Sequence, residues 1–193
     1  GWGRSSATFN ESENPNKRFN VKISGIDYDA KYIFSDFGYN FLPSEISAAF
    51  ALEQIKKLKN NISIRNKNFE YLKKFFKGYE NLFKLPEQNP GVKTPWLAFP
   101  LVIKKNNIFN RKEMQIYLEK QNIQTRVVFT GNVIRQPMCK GINFKVINGG
   151  CPNADNVMKS GILLPIHHGM SEKMFKRLHT TIDQFINDKV KKP

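Results

Sequence analysis

The residues best suited to chemistry gather in one segment near the middle of the chain, TRVVFTGNVIRQP. Around an expected strand end and a glycine-containing loop, this segment carries Arg126, Asn132, Arg135 and Gln136. Loops at strand ends often hold recognition residues, and a guanidinium group can pair with a phosphate or a carboxylate through two hydrogen bonds. The segment therefore predicts a site for an anionic ligand. The alternative is an exposed loop whose arginines serve only the structure.

Three histidines are the other candidates for chemistry: His167, His168 and His179. The first two follow an apolar strand, and adjacent strand residues point to opposite faces, so at most one of them faces a given cavity. No carboxylate or cysteine stands at metal-ligand spacing from them, which argues against a metal site. We expect one histidine to line a pocket as a hydrogen-bonding group, the alternative being a surface histidine beside a turn.

Composition narrows the classes of protein. Of 193 residues, 40% are hydrophobic and 16 are Phe, which is enough to bury a core. The two cysteines, Cys139 and Cys151, are too few for a disulfide framework, which favours a reduced, cytoplasmic protein. No apolar run approaches the roughly 18 residues that cross a bilayer, so we expect no membrane segment.

The formal net charge of +15 at pH 7 favours an anionic partner, such as a nucleic acid, an acidic membrane surface or a phosphorylated small molecule. Most of the excess is lysine scattered along the chain. Scattered lysine is more typical of a solvated surface than of a nucleic-acid footprint, which clusters its cations with aromatic residues. A non-catalytic domain that binds nucleic acid therefore stays a distant alternative.

The elements that must position these residues divide the chain into three parts. Residues 1–42 are predicted to form an irregular loop and a β-hairpin, with strands in FNVKI and KYIFS on either side of a turn in GIDYD. Residues 43–78 are predicted to form one long helix, because Pro43 and Ser44 are typical of a helix start. Residues 79–193 are predicted to form a small α/β domain.

Apolar residues recur along the predicted long helix at three- to five-residue steps and draw one stripe down it. The stripe, interrupted by Arg65, consists of Ile46, Phe50, Ile55, Leu58, Ile62, Phe69, Leu72 and Phe76. At roughly 1.5 Å per residue the helix would be about 50 Å long. One small domain cannot cover that length, so we expect part of the helix to contact another domain or subunit.

The last part of the chain alternates short elements in the order strand, helix, strand, strand, helix. They are PWLAFPLVI, RKEMQIYLEKQ, IQTRVVF, GILLPI and SEKMFKRLHTTIDQFIND, and Ser171 is the expected N-cap of the final helix. This β-α-β-β-α order predicts an α/β fold, a small sheet with helices on one side.

Three motifs, in order, resemble the signature of the DegT/DnrJ/EryC1/StrS family of pyridoxal-phosphate enzymes, which act on nucleotide sugars. They are SDFGYNFLPSEISAAFALEQIKKL, IQTRVVFTGNVIRQP and CPNADNVMKSGILLPIHHGMSEKMFKRLHTTI. The resemblance implies an α/β fold, the small C-terminal domain of a fold-type-I pyridoxal-phosphate enzyme. It also implies that a large N-terminal domain precedes this segment in the whole enzyme.

Two details resemble the C-3 dehydrases (3-dehydratases) of this family: GWGR followed by NKRF, and the TGNVIRQP loop. Those enzymes use pyridoxamine phosphate to remove the 3-hydroxyl of a nucleotide-linked 4-keto-6-deoxyhexose. Aminotransferases of the family usually carry a histidine shortly after the Thr-Arg pair, where this chain has Val127, Val128 and Phe129. The form LPIHHG is closer to the aminotransferases, so a nucleotide-sugar aminotransferase is the alternative.

A subgroup of these dehydrases holds an iron-sulfur cluster through four cysteines between its GWGR-like and KRF-like elements. No cysteine lies between Arg4 and Lys17 in this chain. The resemblance therefore implies the type without a cluster.

The resemblance also implies roles for individual residues. Asn40 matches the asparagine that reaches the cofactor phosphate of the neighbouring subunit. The positions that match the lining of the sugar-nucleotide pocket are Arg4, Phe129, Asn132, Arg135 and His167. The catalytic Lys or His of the family lies upstream of GWGR, so we expect no catalytic residue in this chain and no activity from it alone. A cytoplasmic homodimer, joined through the hairpin and the long helix, is expected of the full enzyme, with a role in deoxysugar or lipopolysaccharide biosynthesis.

Overall fold

A computed structural model of the chain describes residues 18–19, 21–105, 108–146 and 149–190. The chain divides into two compact units, residues 1–56 and 57–193, and one helix continues from the first into the second. This helix, α1, is Glu45–Phe76, and it confirms the predicted long helix. Glu45 stands in its first turn, where a carboxylate is favoured beside the positive end of the helix dipole. The three-part division that follows the ends of this helix stays a prediction.

The first unit contains a hairpin of strands β1 (Val21–Ile23) and β2 (Ile26–Tyr28). Ser24 and Gly25 both have positive φ, as two-residue hairpin turns require. The predicted hairpin is confirmed, but its predicted strand in KYIFS was wrong, since the second strand lies in the segment GIDYD that was expected to turn. The chain reverses early because Ser24 and Gly25 adopt the left-handed conformation.

Burial along α1 is uneven. Its buried residues, Asn68, Phe69, Leu72 and Phe76, all lie towards its C-terminal end. The apolar residues near its start are exposed, and Ile46 is the extreme case at 83%. The predicted apolar stripe is thus covered, within the described residues, only over the last part of the helix.

The second unit contains an antiparallel sheet in the order β3 (Phe83–Lys84), β4 (Ala98–Ile103), β5 (Gly161–Pro165). The predicted strands in PWLAFPLVI and GILLPI are confirmed, and β3 was not predicted. The predicted strand in IQTRVVF was wrong, because the segment makes only a single bridge, between Arg126 and Leu163. After that bridge, local hydrogen bonds within residues 127–131 replace a ladder.

Three further helices complete the unit: α2 (Arg111–Lys120), α3 (Pro152–Ser160) and α4 (Glu172–Val190). Asn110 caps α2 by accepting from the Glu113 N–H at 3.1 Å. The hydroxyl of Ser171 accepts from the Met174 N–H at 3.3 Å, which confirms the predicted cap of α4.

Alternate residues of β4 face the core, as the period of a strand requires. They meet the C-terminal part of α1 together with α2 and α4, so helices cover one face of the sheet. The central buried side chains are Phe69, Leu72, Phe76, Phe83, Phe99, Leu101, Met114, Leu118, Ile162, Leu164, Leu178, Ile182 and Phe185. The predicted α/β fold class is confirmed.

Candidate functional site

The segment predicted to bind an anion, residues 127–136, is a loop held to helix α3 by one carboxylate. Asp155, in the first turn of α3, accepts from Asn132 Nδ2 at 2.7 Å and from Arg135 Nη2 at 2.7 Å. Arg135 Nε also donates to Asp155. Asn132 is only 3% exposed, and its Oδ1 accepts from the Ile134 N–H at 3.3 Å. The structure thus brings Asn132 and Arg135 together on a residue that sequence reasoning missed.

Charge pairing shifts the pKa of both ionised partners. The hydrogen bonds from Arg135 and then from Asn132 lower the pKa of Asp155 to about 2, against a smaller opposing effect of desolvation. The hydrogen bond and the charge of Asp155 raise the pKa of Arg135. Arg135 therefore pairs with a protein carboxylate, as in the structural alternative, and its Nη1 group is what it can offer to a ligand. Its role towards a ligand stays a prediction.

Phe129 stands at the exposed tip of this loop. Its φ of 46° lies in the left-handed region, which is uncommon for a bulky side chain, and the ring is 92% exposed. The Phe129 N–H donates to the Val127 carbonyl at 3.0 Å, and the Gly131 N–H donates to the Val128 carbonyl at 2.8 Å. The loop therefore presents an aromatic ring on a tightly turned backbone.

Gly131 allows the loop to approach α3. It has a φ of 63°, and a Cβ added there would lie 2.5 Å from the Cβ of Met158. Real Cβ atoms do not approach so closely, so a residue other than glycine would have to move the loop away from the helix. The close contact gives this glycine a structural reason that its one-letter code alone did not show.

His167 lies at a different place in the same unit, after β5, where it lines a cleft of about 610 Å³. The cleft has apolar walls that include Leu97, Ile123 and Met174. Its polar lining includes Gln124, Arg126 and Arg177. Phe129, Asn132 and Arg135 are absent from the described residues that line it, so the predicted substrate residues of this unit fall into two groups.

Two contacts orient His167. Its Nδ1 accepts from the Gly169 N–H at 3.2 Å, so in the neutral ring Nε2 holds the proton and can donate to a ligand. The amide of Asn68, on α1, donates to the carbonyls of His167 at 3.0 Å and of Ile166 at 3.3 Å. Asn68 is a supporting residue that the sequence did not reveal, because its partners are about a hundred residues away.

Two arginines of the cleft differ in what they leave available. Arg177 Nη2 donates to the carbonyl of Gln121 at 2.6 Å. The backbone of Arg126 pairs with Leu163, while its guanidinium makes no hydrogen bond or ion pair with any part of the chain that the structure describes. Arg126 is therefore the more available cation beside His167.

The remaining predicted site residues are in the first unit or outside the description. Asn40 is exposed and has a φ of 57°, a left-handed conformation that Asn tolerates. It stands between Tyr39 and Phe41, whose rings stack at 5.9 Å. An exposed amide donor at this position fits a phosphate oxygen. Arg4 lies outside the described residues.

Two searches of the described residues returned no candidate. No cluster of three or more His, Cys, Asp or Glu side chains there has an arrangement that would hold a metal ion. None of the helices in the described ranges has the length and apolarity needed to cross a membrane.

Comparisons with curated proteins place the chain among nucleotide-sugar enzymes. The chain is 29% identical over 187 residues to lipopolysaccharide biosynthesis protein RfbH of Salmonella typhimurium, a match that covers 95% of this chain and 43% of that protein. It is 32% identical over 151 residues to GDP-4-keto-6-deoxy-D-mannose 3-dehydratase of Escherichia coli O55:H7, covering 76% and 38%. The chain therefore spans less than half the length of the curated relatives it matches.

Solved structures agree on the fold. The structure superimposes on a double variant of ColD with a TM-score of 0.75 at 26% identity, covering 94% of this chain and 46% of that one. An E. coli GDP-4-keto-6-deoxy-D-mannose-3-dehydratase with bound hydrated pyridoxal phosphate gives 0.71 at 26% identity, covering 96% and 44%. These neighbours confirm the predicted fold, that of part of a pyridoxal-phosphate enzyme of the aminotransferase type. Residues 7–183 match the DegT/DnrJ/EryC1/StrS aminotransferase family, and the chain belongs to that family.

Proposed function

We propose that the chain is the C-terminal part of a 3-dehydratase that depends on pyridoxal or pyridoxamine phosphate and acts on a nucleotide-linked 4-keto-6-deoxyhexose. The observation that carries the proposal is the agreement between the dehydrase-like TGNVIRQP loop and the names of its relatives. Besides the E. coli protein, they include dTDP-4-dehydro-2,6-dideoxy-D-glucose 3-dehydratase of Saccharopolyspora spinosa, 29% identical over 172 residues. A role in deoxysugar or lipopolysaccharide biosynthesis in the cytoplasm follows from this reaction.

The substrate would be an anionic sugar nucleotide, and the chain offers two kinds of contact to it. Phe129 presents an exposed ring, and Arg135 retains its Nη1 donors beside the buried Asn132. In the cleft, Arg126 has an available guanidinium and His167 an available Nε2 donor. A guanidinium group suits a diphosphate because it can donate two parallel hydrogen bonds. A ColD variant solved with bound GDP-perosamine, to which this chain is 26% identical, supports a nucleotide-sugar ligand.

The cofactor would contact this chain through Asn40, whose exposed amide would donate to the phosphate of the group bound in the partner subunit. When bound, the cofactor supplies an electron sink for loss of the hydroxyl. The rest of its binding residues, including the catalytic Lys or His, would lie in the part of the enzyme upstream of this chain. The chain has two cysteines in all and none between residues 5 and 16, which supports the type without an iron-sulfur cluster.

A homodimer is part of the proposal, because apolar side chains of the first unit are exposed. Phe37, Phe41 and Ile46 are each more than four-fifths exposed. Large exposed apolar groups are typical of surfaces that another domain or subunit covers.

A nucleotide-sugar aminotransferase is the second candidate, and two observations favour it. The LPIHHG segment has the aminotransferase form, and the chain is 27% identical over 141 residues to dTDP-4-amino-4,6-dideoxy-D-glucose transaminase of Escherichia coli. The upstream residue distinguishes the candidates, since a lysine there would favour the aminotransferase and a histidine the dehydratase.

Product analysis of the full-length enzyme tests the proposal. The enzyme is incubated with pyridoxal phosphate, glutamate and GDP-4-keto-6-deoxymannose, and the products are identified by mass spectrometry and NMR. A dehydratase gives a sugar that has lost the 3-oxygen and gained no nitrogen. An amino sugar that retains its 3-hydroxyl would show that the dehydratase proposal is wrong. The 193-residue chain, assayed in parallel, is expected to give no product.

A further inference from the structure

We infer that Asp155 is a positioning residue, which anchors the loop 127–136 to helix α3 and thereby sets where Phe129 stands towards the substrate. The identity of the substrate rests on the proposed function, whereas the anchoring rests on contacts within this chain. Asp155 itself would touch neither substrate nor cofactor.

The first support is that one carboxylate joins two separate residues of the loop. Asn132 Nδ2 and Arg135 Nη2 each donate to Asp155 at 2.7 Å, and Arg135 Nε adds a third hydrogen bond. Two parallel bonds between a guanidinium and a carboxylate fix the orientation of both groups as well as their distance. Because Asn132 is buried, removal of Asp155 would leave its amide without that partner in a place that water reaches poorly.

The second support is the absence of space between this loop and its neighbours. The position of a Cβ on Gly131 is 2.5 Å from Met158 Cβ, and that of a Cβ on Gly161 is 2.9 Å from Val128 Cγ2. Backbone of the loop therefore lies directly against α3, and a loop side chain lies directly against the start of β5. A loop held this closely has one position, and the bonds to Asp155 select it.

The third support is the conformation of Phe129. A left-handed backbone at a bulky residue is costly and persists only where the surroundings hold it. Besides the local turn, Gln136 Nε2 holds the loop by donating to the Thr130 carbonyl at 2.9 Å. The ring that this backbone presents is fully available on the surface, and an exposed aromatic face suits stacking on a nucleobase or on the apolar face of a sugar.

Hydrogen exchange of the full-length enzyme tests the anchor without any substrate. Backbone amides of residues 127–136 are compared in the wild type, in Asp155→Asn and in Glu113→Gln, which removes a surface ion pair with Lys189 elsewhere. We expect exchange in the loop to be about tenfold faster in Asp155→Asn and unchanged in the control. Unchanged exchange in Asp155→Asn would overturn the inference.

Steady-state kinetics with the nucleotide sugar test the positioning. We expect Asp155→Asn to raise KM about tenfold with kcat nearly unchanged, and Phe129→Leu to do the same. Because both act through one contact, the double variant should be no worse than either single variant. Multiplied effects, or a loss confined to kcat, would overturn the inference. If the wild type turns over no nucleotide sugar while exchange still responds to Asp155→Asn, the proposed function is wrong and the anchor stands.

Discussion

His179 lies face to face with Phe75, with ring centroids 3.9 Å apart and planes 4° apart. It also stacks with Tyr71 at 5.0 Å. Its Nε2 atom is buried and has no hydrogen-bond partner among the residues that the structure describes. Desolvation lowers the pKa of His179 below its usual 6.5, and the nearby charge of Asp183 opposes this in part. The ring is thus accommodated in its neutral form.

A pH-dependent stability follows from this arrangement. The pKa of His179 is lower in the folded than in the unfolded state, so the unfolded state binds more protons as pH falls below about 6.5. Stability should be complete above that pH and decrease below it, by at most about 1.4 kcal/mol per pH unit for one proton. Urea denaturation measured across this range checks the slope.

Substitution assigns that slope to a residue. The variant His179→Phe should lose this component of the pH dependence, because it keeps the stacked ring and removes the proton. The exposed His168 provides a matched control, and His168→Gln should behave as the wild type. A full slope in His179→Phe would show that other groups cause it.

Asn68 should contribute to stability through the two carbonyls it serves. Substitution Asn68→Ala removes the donor to His167 and Ile166, and we expect a loss of about 1–3 kcal/mol in the free energy of unfolding. Asn66 is exposed on the same helix, so Asn66→Ala should change stability by less than about 0.5 kcal/mol. Equal losses for the two variants, measured by urea denaturation, would contradict the assigned role.

Gly131 and Gly141 offer a comparison of strain with and without a clash. Both have positive φ, but an added Cβ meets Met158 at the first and open space at the second. We expect Gly141→Ala to cost about 1–2 kcal/mol, the usual cost of a left-handed residue, and Gly131→Ala to cost more. Addition of Met158→Ala should not rescue Gly131→Ala, because the clash is with Cβ and Cα atoms that alanine retains. Thermal unfolding of the four variants tests this, and a rescue would place the clash further out along the side chain.

Leu72 should be among the most sensitive core positions. It is completely buried, and Leu72→Ala should destabilise the protein by about 3 kcal/mol through lost burial and a residual cavity. Leu97 is 80% exposed, and the same substitution there should have an effect below about 0.5 kcal/mol. Chemical denaturation provides both values, and a small effect at Leu72 would mean that the core is not packed as described.

Local patterns in the sequence were sufficient for the regular elements. The helices α1, α2 and α4 and the strands β4 and β5 follow from apolar period, helix-start residues and length, because each of these acts within a few neighbouring residues. The motifs that carried the family resemblance are likewise contiguous, so the comparison with relatives confirmed them. The fold class and the family were in this sense determined by the sequence alone.

Tertiary structure decided the features that depend on distant partners. IQTRVVF has the composition of a strand, but a strand forms only where a neighbour supplies a ladder, and there the chain bends after one bridge at Arg126. The ion pair of Arg135 with Asp155 and the contacts of Asn68 join residues far apart in the chain. Residue type predicts that such groups seek partners, but only the folded chain brings a particular carboxylate or carbonyl within 3 Å, roughly the distance that a hydrogen bond requires.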